Sequence, residues 1–233
     1  MVNLAIERLI VPQDRMTQTP PRRVLLINPN TTQSMTDTMV AQLAARAPAG
    51  TQIRAITASF GHPVIATRVA YAVAAHAALD AYAKFREPHD VMILGCFGDP
   101  GLEALREVAP VPVVALAEAS FRAAQALGQP FAVLTAGPAW KPMLEERLAL
   151  HPARGLCLGV HALPGTGLDF AGHAPSAVEI LNHAAQQLAA AGAGSIILGG
   201  AALAGLASRL TARTCFIDCL DAALTQALEA AGG

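Results

Sequence analysis

The residue best equipped for chemistry in this chain is Cys96, within Val91-Met92-Ile93-Leu94-Gly95-Cys96-Phe97-Gly98-Asp99-Pro100-Gly101-Leu102. Residues 91–94 read as a buried parallel strand, and the small and turn-forming residues after them end it in a tight turn that leads into a helix. Asp99 is the expected N-cap of that helix and Pro100 its first helical position. Cys96 therefore falls where strand gives way to helix. Free amides and the positive end of a helix dipole favour negative charge there, so its thiol is expected to ionise below the ordinary value of about 8.5. A thiol so placed can serve as acid, base or nucleophile. The plain alternative is a buried cysteine that only packs, and it is the strand-end setting that speaks for chemistry.

The elements that must hold Cys96 occur twice. In the first half an apolar strand at 24–27 runs into Asn28-Pro29-Asn30-Thr31-Thr32, then a helix at 33–46 with Met35, Met39, Leu43 and Ala44 inward. A strand at 51–58, the loop Phe60-Gly61-His62-Pro63 and an Ala-rich helix at 65–84 lead to the Cys96 strand, and a short strand at 111–116 and a helix at 121–127 close the half. The second half repeats the plan: strand 131–134 ending in Thr135, helix 140–150, strand 156–162, helix 174–191, then Ser195-Ile196-Ile197-Leu198-Gly199-Gly200-Ala201. Asn28 and Cys96 are 68 residues apart and Thr135 and Gly200 are 65 apart, which makes Gly200 the counterpart of Cys96. The expected fold is α/β: two pseudo-symmetric, doubly wound parallel-sheet lobes, residues 21–128 and 129–233, with the site in the cleft that both sets of strand ends face. Residues 1–20 read as an extension, with Met16 an alternative start. The side chains of Asn28, Thr31 and Thr135, with the backbone around Phe97, Gly199 and Ala201, are the candidates for holding a carboxylate or an enolate.

Composition narrows the partner to a small molecule. Of 233 residues 53% are hydrophobic and 14% charged, enough for a sizeable core, and the formal net charge of −1 comes without any basic run. Nucleic acid and anionic membrane surfaces are therefore not expected partners. No apolar run approaches the ~18 residues of a membrane span. The cysteines at 96, 157, 215 and 219 show no C-x-x-C spacing and no two histidines fall at i, i+4, so no metal site is expected. Four cysteines without a recognisable secretory signal suggest a reducing cytoplasm, with the separation of Cys215 and Cys219 left open by the sequence. No strand is followed by a phosphate-binding glycine loop or a nucleophile elbow, which argues against nucleotide binding and serine hydrolysis. His62 is either a site residue or a solvated loop histidine. Glu118 is expected to support or cap a helix, and Trp140 to cover the lobe.

Ile27-Asn28-Pro29-Asn30-Thr31-Thr32, the run from Cys96 to Leu102, Pro112-Val113-Val114-Ala115-Leu116-Ala117-Glu118-Ala119 and Leu198-Gly199-x-Ala201-x-x-Ala204-Gly205-Leu206 together resemble the aspartate/glutamate/hydantoin racemase superfamily, nearest its hydantoin and allantoin racemase branch. The resemblance spans residues 24–228. It implies an oligomeric enzyme without cofactor or metal, in which two cysteines face opposite sides of a carbon next to a carbonyl, one removing a proton and the other returning one. It places the first at Cys96. It places the second at position 200, which here is Gly200, and Ala202 and Leu203 stand where the pattern usually has Gly and Met. Glycine can neither give nor take a proton, so two-base racemisation cannot run in its usual form.

Three expectations follow. One is a racemase-type isomerase acting on a hydantoin, allantoin or amino acid, altered or impaired by Gly200. Another is a single-cysteine decarboxylase like the arylmalonate decarboxylases of the same superfamily, with the lone cysteine in the opposite lobe. The third is a non-catalytic binder of a small carboxylate or ureide. Replacement of the missing base by Cys219, just after the strand at 215–218, is a further candidate.

Overall fold

The structure is a computed structural model that describes residues 22–171 and 175–232, so the extension expected at 1–20 lies outside the described residues. The first half lays down β1 (Arg23–Asn28), α1 (Gln33–Arg46), β2 (Gln52–Thr57), α2 (Arg68–Lys84), β3 (Val91–Leu94), α3 (Leu102–Val108), β4 (Val113–Ala115) and α4 (Leu116–Leu127). The second half lays down β5 (Phe131–Ala136), α5 (Trp140–Ala149), β6 (Cys157–Leu163), α6 (Gly167–Ala171), α7 (Pro175–Ala190), β7 (Ser195–Gly199), β8 (Cys215–Asp218) and α8 (Cys219–Ala230). Each half forms one parallel sheet, in the orders β2-β1-β3-β4 and β6-β5-β7-β8. The order of strand addition reverses between β1 and β3, and again between β5 and β7, and such switch points leave a crevice outside the strand ends.

Strand register makes the internal symmetry concrete. Ile27 pairs with Leu94 in the first sheet, and Leu134 pairs with Leu198 in the second. One step on, Thr135 pairs with Gly199, and the amide of Gly95 donates to the carbonyl of Ile27. Cys96 and Gly200 are each the next residue of their strands, so they occupy equivalent places in the two lobes.

The strands read as continuous apolar runs because both faces of each sheet are covered. In β1, Val24 and Leu26 join a cluster that continues through Phe121 to Val133 and Leu224, while Leu25 and Ile27 join a second cluster with Met92 and Leu105. Complete burial of Phe121 contributes about 2–3 kcal/mol. The lobes also exchange cover. Helix α4, from the first half, packs on β7 and β8, and α8, from the second half, packs on β3, β4 and α1.

Two local readings change. Helix α4 begins at Leu116 rather than at 121. Asp99 does not cap the helix that follows it: α3 starts at Leu102 after Gly101, and Asp99 takes a left-handed conformation with φ 60°. Its carboxylate accepts instead from the amides of Ala117 (2.8 Å) and Glu118 (2.9 Å) and so caps α4, whose own N-cap position, Ala115, has no side chain able to do so.

Candidate active site between the lobes

The carboxyl ends of β3, β5 and β7 open onto one cavity of about 230 Å³. Gly95, Cys96 and Phe97 line it from the first lobe, and Thr135, Gly199, Gly200 and Ala201 from the second. Loops at 64–66 and 165–167 and the indole of Trp140 close the sides. Among the described residues the lining contains no carboxylate, ammonium, guanidinium or imidazole; its polar side chains are Asn30, Cys96, Thr135 and Thr166. Nor is any group of three or more His, Cys, Asp or Glu gathered for a metal among the described residues.

Cys96 is only 9% exposed. The expected helix terminus is absent at its thiol, because α3 begins only at Leu102 and Asp99 turns its negative charge inward. Burial pushes the thiol up, and the Asp99 carboxylate pushes the same way. Cys96 therefore rests as a neutral thiol, opposite to the lowered pKa expected from its position in the sequence.

At the facing position Gly200 has φ 141° and ψ 135°, a backbone conformation that side-chain-bearing residues resist. A Cβ built there would meet nothing within 4 Å, so this wall is open as well as inert. At Gly199 the reason for glycine is different: an added Cβ would lie 2.5 Å from the Phe97 ring, which crosses from the first lobe to cover the end of β7. The backbone of Gly200 lies against the sulfur of Cys219 and partly offsets the effect of burial on that thiol. Cys219 is fully buried beneath this turn and is absent from the lining, and burial pushes its thiol up too.

Other singled-out residues are sorted by the same geometry. The Thr135 hydroxyl donates to the Gly199 carbonyl (2.5 Å) and ties the ends of β5 and β7 together. Asn28 lies beneath the lining, fully buried, donating to Asn30 Oδ1 (3.0 Å) and Thr36 Oγ1 (2.9 Å). Thr31 is outside the lining as well, its amide donating to the carbonyl of His62 (3.1 Å). His62 itself does not reach the cavity. Glu118 lies in a separate groove between Arg106 and Arg122, which hold its carboxyl below the usual range against the opposing effect of burial.

Asn30 and Thr166 are the polar side chains that sequence reasoning passed over, and Thr166 is engaged with Asp169 (3.0 Å). The Asn30 Oδ1 accepts from Asn28 Nδ2 and from the amide of Thr32 (2.9 Å), which fixes the orientation of the amide group and leaves Nδ2 only a weak contact with Met35 Sδ at 3.6 Å among the described residues. The signal was present in Asn28-Pro29-Asn30: two asparagines flanking a proline at a strand end suit one buttress and one exposed donor. Trp140, expected as cover, both packs edge-on against Tyr71 and lines the cavity.

The family model described as Asp/Glu/Hydantoin racemase matches residues 24–227. A hydantoin racemase from Paenarthrobacter aurescens is 31% identical over 193 residues, covering 81% of each chain. One from Pseudomonas sp. (strain NS671) is 31% identical over 190 residues, 81% of this chain and 76% of that one. Among solved structures, the allantoin racemase from Pseudomonas fluorescens superposes with a TM-score of 0.84 at 31% identity, covering 89% of both chains.

Proposed function

We propose a one-base proton-transfer function for this chain, which belongs to the Asp/Glu/hydantoin racemase family. Its substrate class is an uncharged ureide of the hydantoin or allantoin kind, and Cys96 moves the proton on the carbon next to its carbonyl without cofactor or metal. The carrying observation is the asymmetry of the cavity: a thiol on one wall, and on the equivalent place opposite a glycine with open space before it. Relatives of hydantoin and allantoin racemase name support the substrate class, and so does a lining without charged side chains among the described residues.

In the forward step the Cys96 thiolate takes the α-proton, the electron pair of the C–H bond moves into the carbonyl as an enolate, and the thiol forms. Asn30 Nδ2 is a side-chain donor available to the enolate oxygen. Return of a proton from the same thiol restores the starting enantiomer. Exchange of the thiol proton with water between the two steps leaves solvent hydrogen on the carbon without inversion. Inversion requires a proton on the opposite face, where water entering the space at Gly200 is the donor available. The malonate decarboxylase reading is less well supported, because a dianion would enter a cavity with no cationic side chain among its described lining residues.

The test is proton NMR in D2O on separated D- and L-5-substituted hydantoins and on allantoin, with optical rotation followed in parallel. Expected is deuterium entry faster than loss of rotation, abolished in Cys96→Ala, and faster racemisation in any Gly200→Cys protein that folds. Exchange that persists in Cys96→Ala refutes the assignment of the base. No exchange on any ureide leaves the decarboxylase and the binder, which carbon dioxide release from arylmalonates separates.

A further inference from the structure

We propose that Arg147, in the second lobe, is the positioning residue for Cys96, acting through Asp99; the catalytic half of this inference rests on the one-base reading above. The turn from Cys96 to Asp99 belongs to the first lobe, yet it is held from the other side of the cleft. Asp99 is fully buried and left-handed at φ 60°, a conformation that an aspartate keeps only where its surroundings impose it. Its carboxylate accepts from the two leading amides of α4 and from Arg147 Nε at 3.1 Å. Arg147 sits on α5, is 18% exposed, and extends its other end to Glu103 (3.0 Å) on α3. One guanidinium thus joins the helix after the turn to the residue that ends it.

A second contact, from α2, locks the turn halfway. The Tyr71 hydroxyl donates to the Gly98 carbonyl (2.8 Å), and its ring meets Trp140 of α5 edge-on. The titratable groups around Asp99 and Cys96 are therefore Tyr71 from α2, Glu103 from α3 and Arg147 from α5, while α4 contributes the amides of Ala117 and Glu118. Arg147 is the cation bonded to Asp99; the other nearby cations, Arg106 and Arg122, are engaged with Glu118. Arg147 does not line the cavity, so its effect on a substrate must pass through the turn. Without the guanidinium, a buried carboxylate keeps two amide donors but loses its counter-charge. Burial already pushes the Asp99 carboxyl up and the Arg147 charge is the chief effect opposing it, so without Arg147 the carboxyl takes up a proton or turns toward water, and in either case the turn loses its charged anchor.

The consequence is a pair of opposite changes. In Arg147→Met, Cys96 becomes more accessible and reacts at least about 10-fold faster with iodoacetamide, read on the Cys96 peptide by mass spectrometry so that the other cysteines do not interfere. Ureide exchange falls by a similar factor in kcat with KM changed less than about twofold. Arg147→Lys, which restores the charge, recovers both toward the parent. Glu103→Gln, which removes only the exposed partner, leaves both within about twofold. Cys96 labelling in Arg147→Met and Arg147→Lys equal to that of the parent, at pH 7 in the full chain, overturns the inference even if one variant is less stable. The labelling result is independent of catalysis. If the parent shows no exchange, the function proposed above fails, while positioning of the thiol stands or falls on the alkylation rates alone.

Discussion

Cys96 and Gly200 occupy one structural position in two lobes, and their environments have opposite defects. The thiol has the chemistry and lacks the solvent that would ionise it; the glycine has the space and lacks the chemistry. With its pKa raised, the reactive thiolate is the minor form at neutrality. Exchange is expected to rise about tenfold per pH unit between pH 6 and 8, without the plateau that a thiol titrating near 7 would give, as followed by deuterium uptake against pH. Stability moves the other way. Cys96 and Cys219 both bind their protons more tightly folded than unfolded, so they contribute stability at pH values below about 8.5, and this is lost as pH rises beyond. Urea midpoints should be flat to about pH 8 and then fall, each thiol costing up to about 1.4 kcal/mol per pH unit; Cys219→Ala should shallow that fall. Gly200→Ala should destabilise by about 1–3 kcal/mol in urea unfolding although an added methyl touches nothing, because the penalty lies in φ 141° and not in a clash. An unchanged midpoint would mean that the turn relaxes freely, and Gly200→Cys would then be well tolerated.

Among the elements, what could be read from the sequence was what local pattern decides. The strand at 91–94, the helix at 33–46 and the strand at 215–218 match β3, α1 and β8 residue for residue, because a short apolar run or an amphipathic stretch between turn formers leaves few alternatives. The start of α4 was not legible, since its cap is Asp99, far back in the chain and folded against it. The same remote contact misled the reading of Cys96: an Asp-Pro pair after a strand has the local form of a helix start, and only the tertiary partners reveal that the aspartate serves another helix. In the cavity, the residues at strand ends were legible, whereas 64–66 and 165–167 were not, because short connecting segments carry no periodic signal. Where a cap is local, its contribution can be predicted directly. Asp218 accepts from the amides of Leu220 (2.9 Å) and Asp221 (3.4 Å) at the start of α8, and also from Gly205 (2.5 Å) in the loop after Gly200. Asp218→Ala should cost about 2 kcal/mol in urea unfolding, the upper end for an N-cap, since a partly buried loop amide loses its acceptor as well. Asp218→Asn, which keeps one acceptor oxygen, should cost less than half of that.

At the scale of the whole molecule the two sheets look like separable domains, but their covering helices do not respect the boundary. Helix α4 follows the last strand of the first sheet and packs on the second, α8 does the reverse, and Gln226 on α8 donates to the Ala119 carbonyl on α4 (2.7 Å). Neither sheet can therefore unfold without uncovering a face of the other, and the cluster containing Leu26, Phe121, Val133 and Leu224 must open with both. The surface links between lobes count for less: the ion pair of Arg68 with Glu146 joins side chains 60% and 61% exposed, and Arg68→Ala should leave the urea midpoint unchanged within error. The expectation for the molecule is one cooperative transition, and the sequence supplies its own local probe. Trp140, the single tryptophan, stands on α5 at the cleft with Tyr71 of the first lobe against its ring, so its fluorescence reports lobe contact while far-UV circular dichroism reports both sheets. The two urea curves should superimpose within error. A tryptophan change that precedes the loss of dichroism would instead mean that the lobes part before they unfold, and that the shared helices hold them more weakly than each sheet holds itself.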